Sequence, residues 1–349
     1  MTSLEEYVGK LGCTDETERT YAAEDLGYLN APEAVPALLE RLRHEPSLTV
    51  RDAIFQALSR TDGDAPIKAS VQLLESEDPQ IRNQAVIVLR GKGARVIPFL
   101  NALMRTGDRR LRKLVLDALS GVQMVDAGEI YASALRDQDP NVVITAVENI
   151  GGIRAAEFRN RIEELLRLNS HPMLTAACLE ALVGIGGASS LEAIRRCFPD
   201  LAVLPDFLLA SCLKAFAALG SAREFPEVAN LLLVRGHHLR PAILGALKGI
   251  HSRCPLDAPP QKLVSTLQAV IENGDPPLCR YQAVQALGLW AGRDDICTLL
   301  VSCLTSEERL IRLAAAESLR AAKRPDLHRL LAERAREESD EEVLQALTC

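Results

Sequence analysis

Arg19-Thr20-Tyr21-Ala22-Ala23-Glu24-Asp25-Leu26 sets the pattern of this chain: Arg-x-x-Ala-hydrophobic-x-x-Leu. It returns at Arg51 (Ile54, Phe55, Leu58), Arg82 (Ala85, Val86, Leu89) and Arg112 (Val115, Leu116, Leu119). Weaker copies run from Val143 to Ile150, Thr175 to Leu182 and Leu209 to Phe216. Clean ones return at Arg240–Leu247, Arg280–Leu287 and Arg312–Leu319. Seven of the nine intervals between anchors are 30 to 32 residues, and the others are 34 and 40. A fixed period in this range marks stacked supersecondary units, a solenoid.

One period shows how the unit is built. Arg51 to Leu58 is apolar at Ile54, Phe55 and Leu58, the spacing of a buried helical face. Thr61-Asp62-Gly63-Asp64 breaks it. Pro66 opens a second helix, apolar at Ile67, Val71 and Leu74. Glu77-Asp78-Pro79 closes the unit. Asp78 can cap the next helix, with Pro79 at its first position, where the missing N–H costs nothing. Asp139-Pro140, His171-Pro172 and Asp275-Pro276 mark further turns between units, and Pro36, Pro98 and Pro226 open second helices. The fold class is therefore all-α: an α-solenoid of about ten antiparallel helix pairs in a right-handed superhelix. We expect one domain over 1–349: a cap at 1–16, repeats over 17–336, and a cap or truncated repeat at 337–349.

The composition agrees. The chain is 48% hydrophobic and only 4% aromatic, as close-packed helices are. Its net charge of −7 argues against broad nucleic-acid binding, which needs cations to neutralise phosphates. The N-terminus lacks a signal-peptide pattern, and there is no membrane-length apolar run. Nine cysteines without CxxC spacing fit reduced thiols in a cytoplasm. Cys178 and Cys212 fall in core slots.

The repeats resemble the HEAT class, and more narrowly the short HEAT-like repeats of phycobilin lyases. Ala34-Val35-Pro36-Ala37-Leu38-Leu39, the helix starts Val50-Arg51 and Ile81-Arg82, and the helix ends Leu26-Gly27 and Leu287-Gly288 carry the resemblance. It specifies fold far better than function, because members include lyase subunits, scaffolds, signalling adaptors and a DNA glycosylase branch. The resemblance to lyase subunits implies a carrier that holds a bilin and presents it to a client's cysteine. No lyase-specific motif carries over. The glycosylase branch needs a basic concave face, whereas this chain is acidic and has one tryptophan, Trp290.

Most conspicuous residues have structural explanations. The anchor arginines can bridge the carbonyls and carboxylates of the preceding turn while their stems pack on the neighbouring repeat. Gly151-Gly152 and Gly186-Gly187 fall where first helices end. His237-His238 and Cys297/Cys303 lack metal-ligand spacing, and no phosphate-loop or nucleophile motif is present.

Four irregularities remain. Ile250 to Pro260 reads as an extended loop inside one repeat. The copies at Val143, Thr175 and Leu209 lack the arginine, through tighter packing or an apolar partner surface. Residues 82–113 hold nine basic side chains and one acid. The repeat divides them: Arg90, Lys92 and Arg95 on one edge, and Arg82 with Arg105 to Lys113 on the other. The C-terminal Val343 to Leu347 begins another first helix. From these we expect a protein-binding scaffold without catalysis or cofactor, which docks a protein segment on its concave face. Its partner-binding residues are Arg105, Arg109, Arg110, Lys113, His251 and Arg253. A bilin lyase-like carrier and a signalling adaptor are the alternatives.

Overall fold

The computed structural model describes residues 4–122, 124–260, 262–272 and 276–348. Asp275, assigned above to a turn, and Cys349 lie outside the described residues. Helix α1 (Leu4–Lys10) precedes ten helix pairs. These are α2 (Glu16–Tyr28) and α3 (Val35–His44), α4 (Leu48–Arg60) and α5 (Ala65–Leu73), α6 (Pro79–Gly91) and α7 (Ile97–Thr106), α8 (Arg109–Ala118) and α9 (Met124–Ala134), and α10 (Pro140–Gly152) and α11 (Arg159–Leu168). They continue with α12 (Pro172–Ile185) and α13 (Ala188–Cys197), α14 (Asp206–Leu219) and α15 (Phe225–Val234), α16 (Arg240–Arg253) and α17 (Leu263–Glu272), α18 (Pro277–Gly288) and α19 (Asp294–Cys303), and α20 (Arg309–Ala321) and α21 (Leu327–Glu337). A last first helix, α22 (Glu341–Thr348), follows. Two compact units emerge, Met1–Arg161 and Ile162–Cys349, with the boundary inside α11.

Within each unit first helices stack on first helices. In the first unit α2, α4, α6, α8 and α10 form one layer, with α3, α5, α7 and α9 beside it. In the second, α12 through α22 repeat the arrangement. Local chemistry starts the helices where expected. Asp78 accepts from Gln80 N–H with Pro79 at the first position, Asp139 caps α10, and His171 caps α12 through its ring. Ile54, Phe55 and Leu58 are buried, as are Cys178 and Cys212. Burial pushes both of those thiols up to about 12.

The anchor arginines form a ladder. Six of the seven donate to carbonyls at or just before the turn that precedes their helices. Arg19 reaches Cys13 and Thr14, Arg51 Glu45, Arg82 Ser76 and Glu77. Arg112 reaches Gly107, Arg280 Ile271, and Arg312 Ser306 and Glu307. Five also reach a carboxylate one turn further on: Arg19–Glu45, Arg51–Asp78, Arg112–Asp137, Arg280–Glu308 and Arg312–Glu338. Orphaned helix-end carbonyls are thereby satisfied, and neighbouring repeats are tied together.

The arginine-free copies solve the same problem differently. In α12, eight of 14 residues are buried, against five of 13 in α2, so apolar packing substitutes there. Thr175 donates a lone hydroxyl to Asn169. Before α14 the rung runs backwards: Arg235, from the following turn, donates to Ala202 and Leu204 carbonyls and to Asp206. At Gly186 the chain is extended, not left-handed. Glycine is needed there for space, because a Cβ would meet the Leu182 oxygen at 2.4 Å.

Candidate functional site

The structure separates committed cations from uncommitted ones. On the edge between the two helices of a repeat, Arg90 donates to the Asp117 carbonyl, and Lys92 to those of Ser59 and Thr61. Arg95 stands 4.0 Å from Asp64. Arg253 does the same work in the second unit, donating to the carbonyls of Phe216, Ala218 and Gly220. Arg90, Lys92 and Arg253 thereby close the C-termini of adjacent first helices, where cations are favoured.

His251 and Arg253 are not in an extended loop. Ile250 continues the buried stripe of Ile243, Leu244 and Leu247, so α16 runs on to Arg253 and the insertion begins at Cys254. His251 is buried. Its ring packs edge-on against Trp290 at 4.7 Å and Phe225 at 6.4 Å.

The other four expected residues lie in the first unit, and one of them, Arg105, lines a groove of about 770 Å³. Arg105 lies in the last turn of α7 and lines it, with Arg112, Glu129, Ser133, Arg136 and Asp137, over Met104 and Ala132. Arg109, Arg110 and Lys113 sit on α8 beside it. Lys113 is bound to Asp117 at 3.0 Å, and Arg109, 80% exposed, is 4.0 Å from Asp139. Arg112 and Asp137 form a two-pronged pair at 2.6 and 2.8 Å. Burial pushes the Asp137 carboxyl up, but the Arg112 guanidinium and backbone N–H groups hold it below the usual range. With that pair cancelled, two guanidiniums, Arg105 and Arg136, face one carboxylate, Glu129, in the groove. Arg105, Arg110 and Arg136 make no ion pair among the described residues. A carboxylate-bearing ligand therefore meets cations that are free to engage it.

Arg136 was missed as a site residue. In sequence it reads as one more cation near a second-helix C-terminus, like Arg41. Arg41, however, is taken by Glu45 at 2.6 Å. Among the described residues no group of three or more His, Cys, Asp or Glu could hold a metal ion. None of the described helices is long and apolar enough to cross a membrane.

Residues 264–348 match the family model for HEAT repeats. That stretch, from α17 to α22, is of HEAT-repeat type. Its fold is similar to importin beta, with a TM-score of 0.66 at 13% identity over 98% of this chain and 58% of that one. It is likewise similar to the Kap95:Nup1 complex structure, with a TM-score of 0.67 at 14% identity over 99% of this chain and 55% of that one. This chain thus spans a little over half the length of both. At such identities the likeness is one of fold alone. In sequence it is 44% identical over 62 residues to the bilin biosynthesis protein PecE of Mastigocladus laminosus, a match covering 18% of this chain and 23% of that protein. That match overturns the expectation of a chain without catalysis, since the relative is a bilin biosynthesis protein.

Proposed function

We propose that this HEAT-repeat chain is a bilin-handling, lyase-like protein that holds a linear tetrapyrrole and presents it to a protein client. The observation that carries this is the 44% identity to the bilin biosynthesis protein over 62 residues. The groove of the first unit supports it. Its volume of about 770 Å³ lies within the usual range for small-molecule sites, roughly 300–1,000 Å³. A bilin is a long conjugated chain with two propionate carboxylates. Arg105 and Arg136 can take those carboxylates, while Met104 and Ala132 offer apolar contact. Arg109, Arg110 and Lys113, on the adjoining helix, supply a cationic surface for an acidic face of the client, where charge complementarity speeds encounter.

The test is spectroscopic. The purified chain is titrated with phycocyanobilin and the visible absorbance followed. A red-shifted, sharpened band is expected. An unchanged spectrum at saturating protein removes the proposal. Replacing Arg105 and Arg136 together with Glu is expected to weaken binding at least tenfold, because a charge-assisted hydrogen bond contributes about 1.5–3 kcal/mol.

A further inference from the structure

We propose that His251 is a proton-sensitive latch: neutral, it pins the insertion of residues 254–260 to the second unit, and protonated, it releases it. Both backbone groups of Leu256 are held. Its carbonyl accepts from Trp290 Nε1 at 2.8 Å, and its N–H donates to His251 Nδ1 at 3.4 Å. The two clamping rings pack on each other and on Phe225. Between its ends, where Cys254 donates to Ile250 and Pro260 accepts from Leu263, the insertion offers little besides Leu256 to hold it. Asp257 and Ala258 are exposed, and three of its seven residues are proline, without N–H groups.

The chemistry of the latch lies in one nitrogen. Nδ1 can accept from Leu256 only while unprotonated, so the clamp fixes the neutral tautomer. A proton on Nδ1 converts the acceptor to a donor aimed at an N–H, which breaks that bond and places charge against two aromatic rings. Burial, against a backbone bond to Leu289, holds the His251 pKa below its ordinary value. The charged groups on the surrounding elements are engaged elsewhere or exposed. Beside Phe225, Glu224 is bound to Arg195 and Ser221. Burial raises the Glu227 carboxyl. Past α18, Arg293 is bound to Asp295. On α16, Arg253 is spent on carbonyls and Lys248 on Gln285. In the insertion Asp257 faces solvent. Among the described residues no carboxylate is therefore bonded to the ring to offset its charge.

Release has a local consequence. Pro260 forms one wall of an apolar groove of about 250 Å³ against Pro226, Ala229 and Leu233 of α15 and Leu263 of α17. When Leu256 is freed, that wall keeps its bond from Leu263 N–H but loses the anchor four residues before it.

Trp290 is the only tryptophan, so its fluorescence reports the clamp directly. On the full chain, emission and the hydrogen-exchange protection of the peptide containing Leu256 are followed from pH 8 to 5, with exchange corrected for its intrinsic pH dependence. We expect both to change together with a midpoint below the ordinary histidine value of about 6.5, while far-UV circular dichroism stays constant. His251→Gln, which keeps an acceptor but no titration, is expected to abolish the transition. The latch is overturned by a transition that survives in His251→Gln, by wild-type Leu256 protection that holds through acid, or by a midpoint shared with loss of helix. The wild-type exchange measurement decides the matter even where the variant does not fold.

Discussion

Removing the Glu45 carboxylate tests the arginine ladder at its most buried rung. Glu45 is fully shielded and accepts four hydrogen bonds: from Arg19 Nε and Nη2 at 2.9 and 3.1 Å, from Arg41 Nε at 2.6 Å, and from Ser47 N–H at 2.9 Å. Glu45→Ala leaves the Arg19 guanidinium buried without its counter-charge. Breaking a buried pair by removing one partner costs about 3–5 kcal/mol. Arg19 keeps its bonds to the Cys13 and Thr14 carbonyls and Arg41 can turn to water, so the cost falls near the lower bound, about 3 kcal/mol. Glu308 occupies the matching place at the Arg280 rung, but its side chain is 42% exposed and caps nothing. Glu308→Ala should cost about 0–1 kcal/mol. Stacked repeats open locally, so the assay is hydrogen exchange of α2 and α4 for one variant and of α18 and α20 for the other. Equal losses at the two rungs, or a Glu45 cost under 1 kcal/mol, would falsify the view that burial sets the strength of each rung. The same carboxyl adds a pH signature. Burial pushes it up, but the two arginines and the Ser47 N–H outweigh that and hold it at about 2. Its contribution is complete above the unfolded value near 4.5, and it fades as pH falls towards 2.

Two glycines on one helix should respond with opposite signs. Gly249→Ala places a Cβ 2.6 Å from the Ala217 oxygen and 2.9 Å from its Cα, which forces α14 and α16 apart at about 1–3 kcal/mol. Gly245→Ala meets nothing within 4 Å and should gain about 0.5–1 kcal/mol; thermal melts compare them, and equal signs would refute the close-approach argument. The Cys178 and Cys212 thiols, buried and raised to about 12, should resist a water-soluble thiol reagent at pH 8 until the chain unfolds; rapid native labelling of either, located by mass spectrometry, would contradict their burial. Tyr131→Phe removes the donor to the Leu119 carbonyl at 3.0 Å in a fully buried site, at about 1–3 kcal/mol, and chemical denaturation measures it.

The helix pairs were legible because their signals are local. A buried face needs apolar residues at helical spacing, and a cap needs its side chain within three residues of the amide it serves. Asp78-Pro79 and the stripe of Ile54, Phe55 and Leu58 meet those needs inside one stretch of chain. The last first helix was legible for the same reason, since Val343 and Leu347 are both buried. The end of α16 could have been read too, because Ile250 falls in register with Ile243 and Leu247. The basic groove could not. Arg90, Arg105 and Arg136 look alike in sequence, and only partners some thirty residues away show that Arg90 is spent on Asp117 while Arg105 and Arg136 are not. The reversed rung at Arg235 was hidden similarly. A missing arginine at position 209 says nothing about a donor arriving from the next turn.

The ladder bears on how such a chain can lengthen or shorten. Arg51 takes the Glu45 carbonyl behind it and the Asp78 carboxylate ahead; Arg19 takes the Thr14 carbonyl behind and the Glu45 carboxylate ahead. The two rungs ask the same of their neighbours, so a segment excised or copied from one arginine to the next carries matched fittings at both ends. The arrangement at Arg235 is keyed the other way, with donor and acceptor exchanged. A cut between positions 206 and 235 would join unlike ends, leaving the carbonyls of 202 and 204 with no donor. Repeat number is therefore editable where arginine heads the helix and frozen where the rung runs in reverse.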